Sequence, residues 1–327
     1  MKAVVIGAAG HVGNAIVRAL LDRNWEVTAC GRREIPPANL AGLPVRYLAG
    51  DSRVPGQFDR WIAGHDLVVD AAAPYPLDIF SIANLGGPEP LADADMRTRR
   101  LLDSVGAHDA KLAYIGSFVT LARPHTAGQQ LQSELVRLVH PYFEVKELIE
   151  SLIVRAAKHG LPAVLVNPTY CLGPWDLHDR HLCTIPLLLS GEVPSSISQM
   201  LNVIDVRDVA SALIAALEAE RFGEPTLLSG HTISTDTLYL TICQIGGAPP
   251  PRITSSASFA LMGSYCMEAA LGLIGRKTPL LSGGMMMATA FDYLETGSEL
   301  KQLGVTPTPL AATIADAIQW YRDIGYC

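Results

Sequence analysis

Met1-Lys-Ala-Val-Val-Ile-Gly7-Ala-Ala-Gly10-His-Val-Gly13-Asn-Ala-Ile-Val-Arg-Ala-Leu-Leu21 is the stretch that decides the fold. Ala3 to Ile6 form a short apolar run, the pattern of a strand buried on both faces. Gly7, Gly10 and Gly13 follow as G-x-x-G-x-x-G, and Ala15, Ile16, Val17, Ala19, Leu20 and Leu21 then recur at helical spacing. Strand, glycine turn and helix in this order make a dinucleotide-binding entry. Missing side chains let the backbone approach a pyrophosphate, and a helix N-terminus presents unpaired N–H groups at its positive dipole end. The segment therefore sets Gly7, Ala9, Gly10, His11, Val12 and Gly13 against a bound dinucleotide. An ordinary tight turn would also accept these glycines, but the position straight after a buried-type strand favours the nucleotide.

The second strand, Trp25 to Cys30, runs into Gly31-Arg32-Arg33. A carboxylate at this point would accept hydrogen bonds from the adenosine ribose 2′-OH and repel a 2′-phosphate. Here a glycine is followed by two guanidinium groups, which suit a phosphate. NADP is thus expected over NAD, with Arg32 and Arg33 as the phosphate contacts; the plainer alternative is a pair of solvated surface arginines.

Far downstream, Tyr142 and Lys146 stand four residues apart in PYFEVKELIE. Four residues is about one helical turn, so phenol and ammonium project from one face. A cation beside a phenol is expected to lower a pKa that starts near ~10 and to give an acid/base group usable near neutral pH. Glu144 and Glu147 on the same helix read as a solvated face.

The ordered pieces resemble the extended short-chain dehydrogenase/reductase family, within the NAD-dependent epimerase/dehydratase superfamily, almost end to end. They are Ala49-Gly-Asp51 after the third strand, Asp66-Leu-Val-Val-Asp-Ala-Ala-Ala73, Lys111-Leu-Ala-Tyr-Ile-Gly-Ser117, and Val164-Leu-Val-Asn-Pro168 with Leu172-Gly-Pro-Trp-Asp176. Asn202-Val-Ile-Asp-Val-Arg-Asp-Val-Ala210, Gly304-Val-Thr-Pro-Thr-Pro and Ile318-Gln-Trp-Tyr321 complete the set, and Ser117 lies 25 residues before Tyr142. The resemblance is closest to the dihydroflavonol-4-reductase-like branch. Val-Asn-Pro replaces the Arg-Pro of many sugar-nucleotide enzymes, and Leu201 stands where those enzymes place an arginine for a nucleotide diphosphate. Two departures stand out: Gly116 and Phe118 flank Ser117, and the usual Asn-x-x-Gly-Thr helix motif is reduced to Asp95-Met-Arg-Thr98.

The resemblance implies a catalytic set of Ser117, Tyr142 and Lys146, with Tyr142 and Lys146 also contacting the cofactor, Lys146 at the nicotinamide ribose. It further implies cofactor contacts from Asp51, Ser52, Ala71, Ala72, Ala73, Asn167, Pro168 and Thr169, and a homodimer through the helix carrying Tyr142 and Lys146. The expected activity is hydride transfer from NADPH to a ketone or aldehyde of a small, fairly apolar substrate. Two rivals are a redox-neutral epimerase or dehydratase acting on a sugar-like substrate, and a non-catalytic NADP-sensing protein.

Strand and helix patterns alternate to about residue 168, which argues for an α/β fold with a doubly wound parallel sheet. The division expected is a dinucleotide-binding domain over 1–168, rejoined by about 202–219, and a smaller interleaved substrate lobe from 169–201 and, mainly, 220–327. With 327 residues the chain can bury a large core, and its net charge of −7 speaks against nucleic acid as a partner. Residues 1 to 6 enter a strand directly, and the six cysteines are scattered without C-x-x-C spacing, so a reduced, cytoplasmic protein is expected. Phe259 to Ile274 is shorter than the ~20 apolar residues a membrane span needs and reads as a pocket-covering helix. Met285 to Met287 suit an adaptable apolar pocket or plain core. Asp176, His178, Asp179 and His181 fall within six residues, but their loop is expected to touch substrate, and no metal is expected.

Overall fold

Successive side chains of a strand point to opposite faces, and the first strand, β1 (Lys2–Ile6), uses both. Ala3 and Val5 enter one buried cluster, Val4 and Ile6 another. In this computed structural model β1 lies inside a seven-stranded sheet with β2 (Glu26–Gly31), β3 (Arg46–Ala49), β4 (Leu67–Asp70), β5 (Lys111–Ile115), β6 (Ala163–Pro168) and β10 (Pro225–Leu228). The order is β10-β6-β5-β4-β1-β2-β3 and every pairing is parallel. The structure describes residues 1–72, 89–123, 127, 130, 142–178, 183–191, 193, 195–256, 259, 262–263, 266–267, 269–271 and 298–327. Ala73, Asp179, His181, Met285 to Met287 and parts of Phe259–Ile274 lie outside them.

Helices α1 (His11–Leu21) and α6 (Val206–Glu218) cover the Ala3/Val5 face, bringing Ile16, Val17, Leu20, Val209 and Leu213 into its core. Helices α3 (Glu89–Ala107) and α4 (Tyr142–Lys158) cover the other face with Leu101, Val105, Val145, Ile149 and Ile153, and short α2 (Gln57–Ile62) adds Phe58 and Trp61. Each such fully buried aliphatic side chain contributes roughly 1.5–3 kcal/mol of transfer free energy. Between β1 and β4 the strand order reverses, which opens a crevice at the carboxyl ends of those two strands. The glycine turn after β1 and the end of β4 therefore lie side by side there, with the Ala71 N–H donating to the Ile6 carbonyl at 3.0 Å.

A second unit holds a three-stranded sheet of β7 (Tyr170–Leu172), β9 (Met200–Asp205) and β11 (His231–Ser234), and a parallel pair of β8 (Ser195–Ser198) and β12 (Ile253–Ser256). Helices α5 (Thr184–Leu189), α7 (Thr235–Gly246) and α8 (Leu310–Asp323) pack on it through Leu188, Leu238, Ile242, Ile314 and Ile318. Leu201 is buried in this core. Asp205 caps α6 and Ser234 caps α7, accepting from the Arg207 and Thr237 N–H groups; such caps are worth ~1 kcal/mol each. Pro225–Leu228 lies within the stretch expected mainly in the second lobe, yet it is the seventh strand of the main sheet. Among the described residues no helix is long and apolar enough to cross a membrane, and all six cysteines are free thiols.

Candidate active site

The glycine turn is built so that nothing fills it. Gly7 has φ +82°, and a Cβ there would fall 2.7 Å from the Ala72 Cβ and 2.8 Å from the Ala71 carbonyl oxygen. A Cβ on Gly13 would fall 2.2 Å from the Gly7 carbonyl oxygen, so α1 can approach the turn only without it. Gly10 caps α1 with no side-chain hydrogen bond. The helix thus presents its first N–H groups at the crevice beside Ala9, His11 and Val12. Backbone donors, a bare turn and a helix N-terminus together fit a pyrophosphate.

At the end of β2, Arg32 and Arg33 are exposed. A Cβ on Gly31 would fall 2.8 Å from the Tyr47 phenol oxygen, and that phenol donates to the Arg33 carbonyl at 2.8 Å. Tyr47 therefore occupies the space a side chain at position 31 would need. Asp51 is paired with Arg53 at 2.6 Å, and the Ser52 hydroxyl accepts from Arg97 Nε at 3.1 Å.

Ser117 leaves β5 and opens a short 3-10 turn, Phe118–Thr120, and its hydroxyl hydrogen-bonds to the phenol of Tyr142 at the start of α4. All three residues of the expected set are buried, with Ser117 7%, Tyr142 5% and Lys146 7% exposed. Lys146 Nζ lies 5.9 Å from the Tyr142 ring centroid and 5.8 Å from that of Tyr114, so the ammonium sits between two phenol rings. The sequence pattern suggested that Lys146 lowers the Tyr142 pKa. Burial instead dominates, pushing the phenol up to about 12 against the bond from Ser117. Burial likewise pushes the Lys146 ammonium down to about 8; Asp70 and Glu150 oppose this and Arg97 adds to it. At neutral pH the phenol keeps its proton while the amine beside it is largely charged.

The sequence reading missed the groups beneath this pair. Asp70, 0% exposed at the end of β4, accepts two bonds from the guanidinium of Arg97 in α3, both at 2.8 Å. Burial pushes the Asp70 carboxyl up, and the Arg97 charge and hydrogen bonds more than reverse this, leaving it below the usual range. An acid closing the apolar run Leu-Val-Val was the available signal; its partner 27 residues on was not.

The second missed group is Glu150, four residues after Lys146. Its Oε2 accepts from Asn167 Nδ2 and Thr120 Oγ1, both at 2.7 Å. Asn167 also accounts for a departure noted in the sequence. A Cβ on Gly116 would fall 1.8 Å from Asn167 Oδ1, so the Asn167 amide fills the place where the family pattern has a serine side chain. Pro168 ends β6, and Thr169 after it donates to Asn202 Oδ1 at 2.8 Å.

The loop after β7 is fastened to the glycine turn. Asn39 Nδ2 donates to the Ala9 carbonyl at 2.9 Å and to the Trp175 carbonyl at 3.1 Å, and the Arg18 guanidinium lies 4.5 Å over the Trp175 ring. Trp175 itself has φ +78°, a costly conformation for a bulky residue that these contacts hold in place. His11 is half-buried, desolvation lowers its pKa, and its buried Nε2 has no protein partner. Asp176 accepts from His178 Nδ1 at 2.5 Å, and this bond raises the His178 pKa. Cys171 points its thiol at the Thr169 carbonyl, 3.5 Å away, and burial pushes it up to about 12. Among the described residues no three His, Cys, Asp or Glu side chains are grouped to hold a metal.

A doubly wound sheet with a bare glycine cradle and a buried Ser–Tyr–Lys set beside it defines the class. Residues 3–228 match the model of the NAD dependent epimerase/dehydratase family. The chain belongs to that family, whose members are NAD(P)-dependent enzymes of the extended short-chain dehydrogenase/reductase type. It is similar to a Synechocystis sp. protein provisionally named dihydroflavonol 4-reductase, 27% identical over 336 residues that cover 98% of this chain and 95% of that one. It is also similar to sterol demethylase protein B of Methylococcus capsulatus, 25% identical over 334 residues and 99% of each chain. Its fold matches the crystal structure of a nucleoside-diphosphate-sugar epimerase from Pseudomonas aeruginosa, with TM-score 0.73, 22% identity, and 100% and 99% coverage. The dTDP-glucose 4,6-dehydratase of Bacillus anthracis, solved in complex with NAD, gives TM-score 0.69 at 16% identity, with 99% and 97% coverage.

Proposed function

We propose that this protein is an NADPH-dependent reductase acting on the ketone or aldehyde of a small, fairly apolar substrate, with Tyr142 as general acid. The observation that carries the reading is the buried Ser117–Tyr142–Lys146 arrangement in which the phenol holds its proton at neutral pH. When bound, the nicotinamide supplies a hydride to the carbonyl carbon. Ser117 and Tyr142 donate hydrogen bonds to the carbonyl oxygen, and Tyr142 passes its proton to the oxygen as negative charge grows there. The Lys146 ammonium then stabilises the phenolate left behind. Burial excludes water, which strengthens each of these interactions. The leucine at position 201 and the reductase-type relative favour an apolar carbonyl over a nucleotide sugar. The same reading makes the protein a cytoplasmic homodimer associating through α4.

The test is a panel of aldehydes and ketones incubated with NADPH. One NADPH should be consumed per carbonyl reduced, and the rate should fall as pH rises through about 8, where Lys146 loses its charge. Product formed without net NADPH consumption overturns the reading in favour of a redox-neutral epimerase or dehydratase.

Cofactor choice has its own test. With Tyr47 beside Gly31 and two exposed guanidinium groups following, the end of β2 suits a 2′-phosphate. Arg32→Glu should lower the NADPH-to-NADH ratio of kcat/KM by about ten-fold or more, the loss of one charge-assisted contact. An unchanged ratio would remove Arg32 from phosphate recognition.

A further inference from the structure

We infer that Glu150 is a positioning residue, holding the turn that carries Ser117, and so the Ser117 hydroxyl, against the Tyr142 phenol. This rests on the proposed role of Ser117 and Tyr142. Tyr142, Lys146 and Glu150 follow one another at four-residue steps, so the carboxylate continues the face of α4 that bears the phenol and the ammonium. Its Oε2 receives the Thr120 hydroxyl and the Asn167 amide, each at 2.7 Å. Thr120 closes the turn begun by Ser117, its N–H donating to the Ser117 carbonyl at 3.2 Å. Asn167 fixes the other side of Ser117, its Oδ1 filling the volume left free by Gly116.

The two residues that bracket Ser117 are thus both held by one carboxylate oxygen. Arg123 and Lys146 stand near Glu150 with opposite charge and Glu147 with like charge. Arg123 also donates to the Thr120 carbonyl at 2.6 Å, reinforcing the same turn. Removing the carboxylate leaves the Asn167 amide and the Thr120 hydroxyl without their shared acceptor; the hydroxyl keeps only the Ser117 carbonyl, 3.0 Å away within its own turn, and the turn loses its tie to α4. A shift of about 1 Å in a hydrogen-bonding group near reacting atoms is enough to cost a large factor in rate.

The experiment uses the full chain labelled with 13Cζ-tyrosine, with NADPH as the only added ligand. The Tyr142 resonance is assigned by its loss in Tyr142→Phe, and its position without the Ser117 bond is set by Ser117→Ala. In Glu150→Ala the Tyr142 resonance should move toward the Ser117→Ala position. In Glu150→Gln, which keeps an acceptor oxygen and loses the charge, it should stay near the wild-type position. NADPH affinity should change by less than about two-fold in both variants, while kcat for a reduced carbonyl should fall by about ten-fold in Glu150→Ala with little change in KM. If Glu150→Ala does not fold, Thr120→Val, which removes the hydroxyl that ties the turn to Glu150 and leaves the Thr120 N–H bond to the Ser117 carbonyl, should give the same displacement. A Tyr142 resonance unmoved in Glu150→Ala, or moved equally in Glu150→Gln, overturns the inference. Should no carbonyl be reduced by the wild type, the reductase reading fails while the resonance still decides the role of Glu150.

Discussion

Tyr142→Phe should lower kcat for carbonyl reduction by about 10³-fold, within the range that loss of a positioned general acid produces, while NADPH affinity stays within about two-fold. The substitution removes one oxygen from a side chain that is 5% exposed and packs edge-to-face with Phe143, 5.8 Å between ring centroids. The ring and the Lys146 ammonium remain in place, so the cradle around Gly7 to Gly13 is untouched. Ser117 can still orient the carbonyl oxygen, but the proton then has to come from water. Steady-state kinetics with a fluorescence titration of NADPH checks both halves. A variant that retains turnover within ten-fold of wild type would move the acid role elsewhere, and the Asp176–His178 pair would be the next group to change.

Arg97→Met should destabilise the protein by about 3–5 kcal/mol at pH 7, the cost of leaving a buried charge unpaired. Asp70 has no solvent access, and Arg97 supplies both of its charge-assisted bonds. In the wild type the folded-state pKa of Asp70 is depressed, so the pair contributes stability above the unfolded pKa and loses it as pH falls through the folded value. In the variant only the Ala72 N–H and the Lys146 charge still oppose burial, the largest influence on this carboxyl, and its pKa should rise. The folded state then binds the proton more tightly than the unfolded chain, and the deficit should shrink between about pH 7 and 4. Urea unfolding at both pH values tests this, and Asp70→Asn combined with Arg97→Met should recover much of the loss. Equal deficits at the two pH values would mean that Asp70 is not the group left uncompensated.

The first strand, glycine turn and helix could be read from residues 1–21 because the chemistry there is local: an unbroken apolar run, missing side chains and helical spacing all lie within one βα unit. The same holds for Tyr142 and Lys146, one turn apart on α4. What escaped the sequence was set by distance along the chain. Arg97 reaches Asp70 over 27 residues and Ser52 over 45, and nothing in Asp95-Met-Arg-Thr98 marks that arginine as buried. The acidity of Tyr142 was misjudged for a related reason. Spacing reports that two groups are neighbours, but the depth at which they lie decides whether Coulomb attraction or desolvation prevails. Glu150 lay in plain view at the next four-residue step after Lys146, whereas its partners Thr120 and Asn167 come from two other elements. Pro225–Leu228 gave no sign that it would extend the main sheet, since four residues carry too little periodicity to assign a neighbour.

The backbone weaves between the two units: β6 belongs to one, β7 to the other, α6 and β10 return, β11 leaves again, and Leu300 comes back to the first core before α8 departs. An ancestor with this threading could not trade its pocket for a relative's by splicing in a foreign cassette, because every crossover point would sever a shared core. New specificities would have to arise in place, one substitution at a time, with the dinucleotide-binding sheet kept whole. Two relatives with names as different as dihydroflavonol 4-reductase and sterol demethylase protein B are each collinear with nearly the full chain.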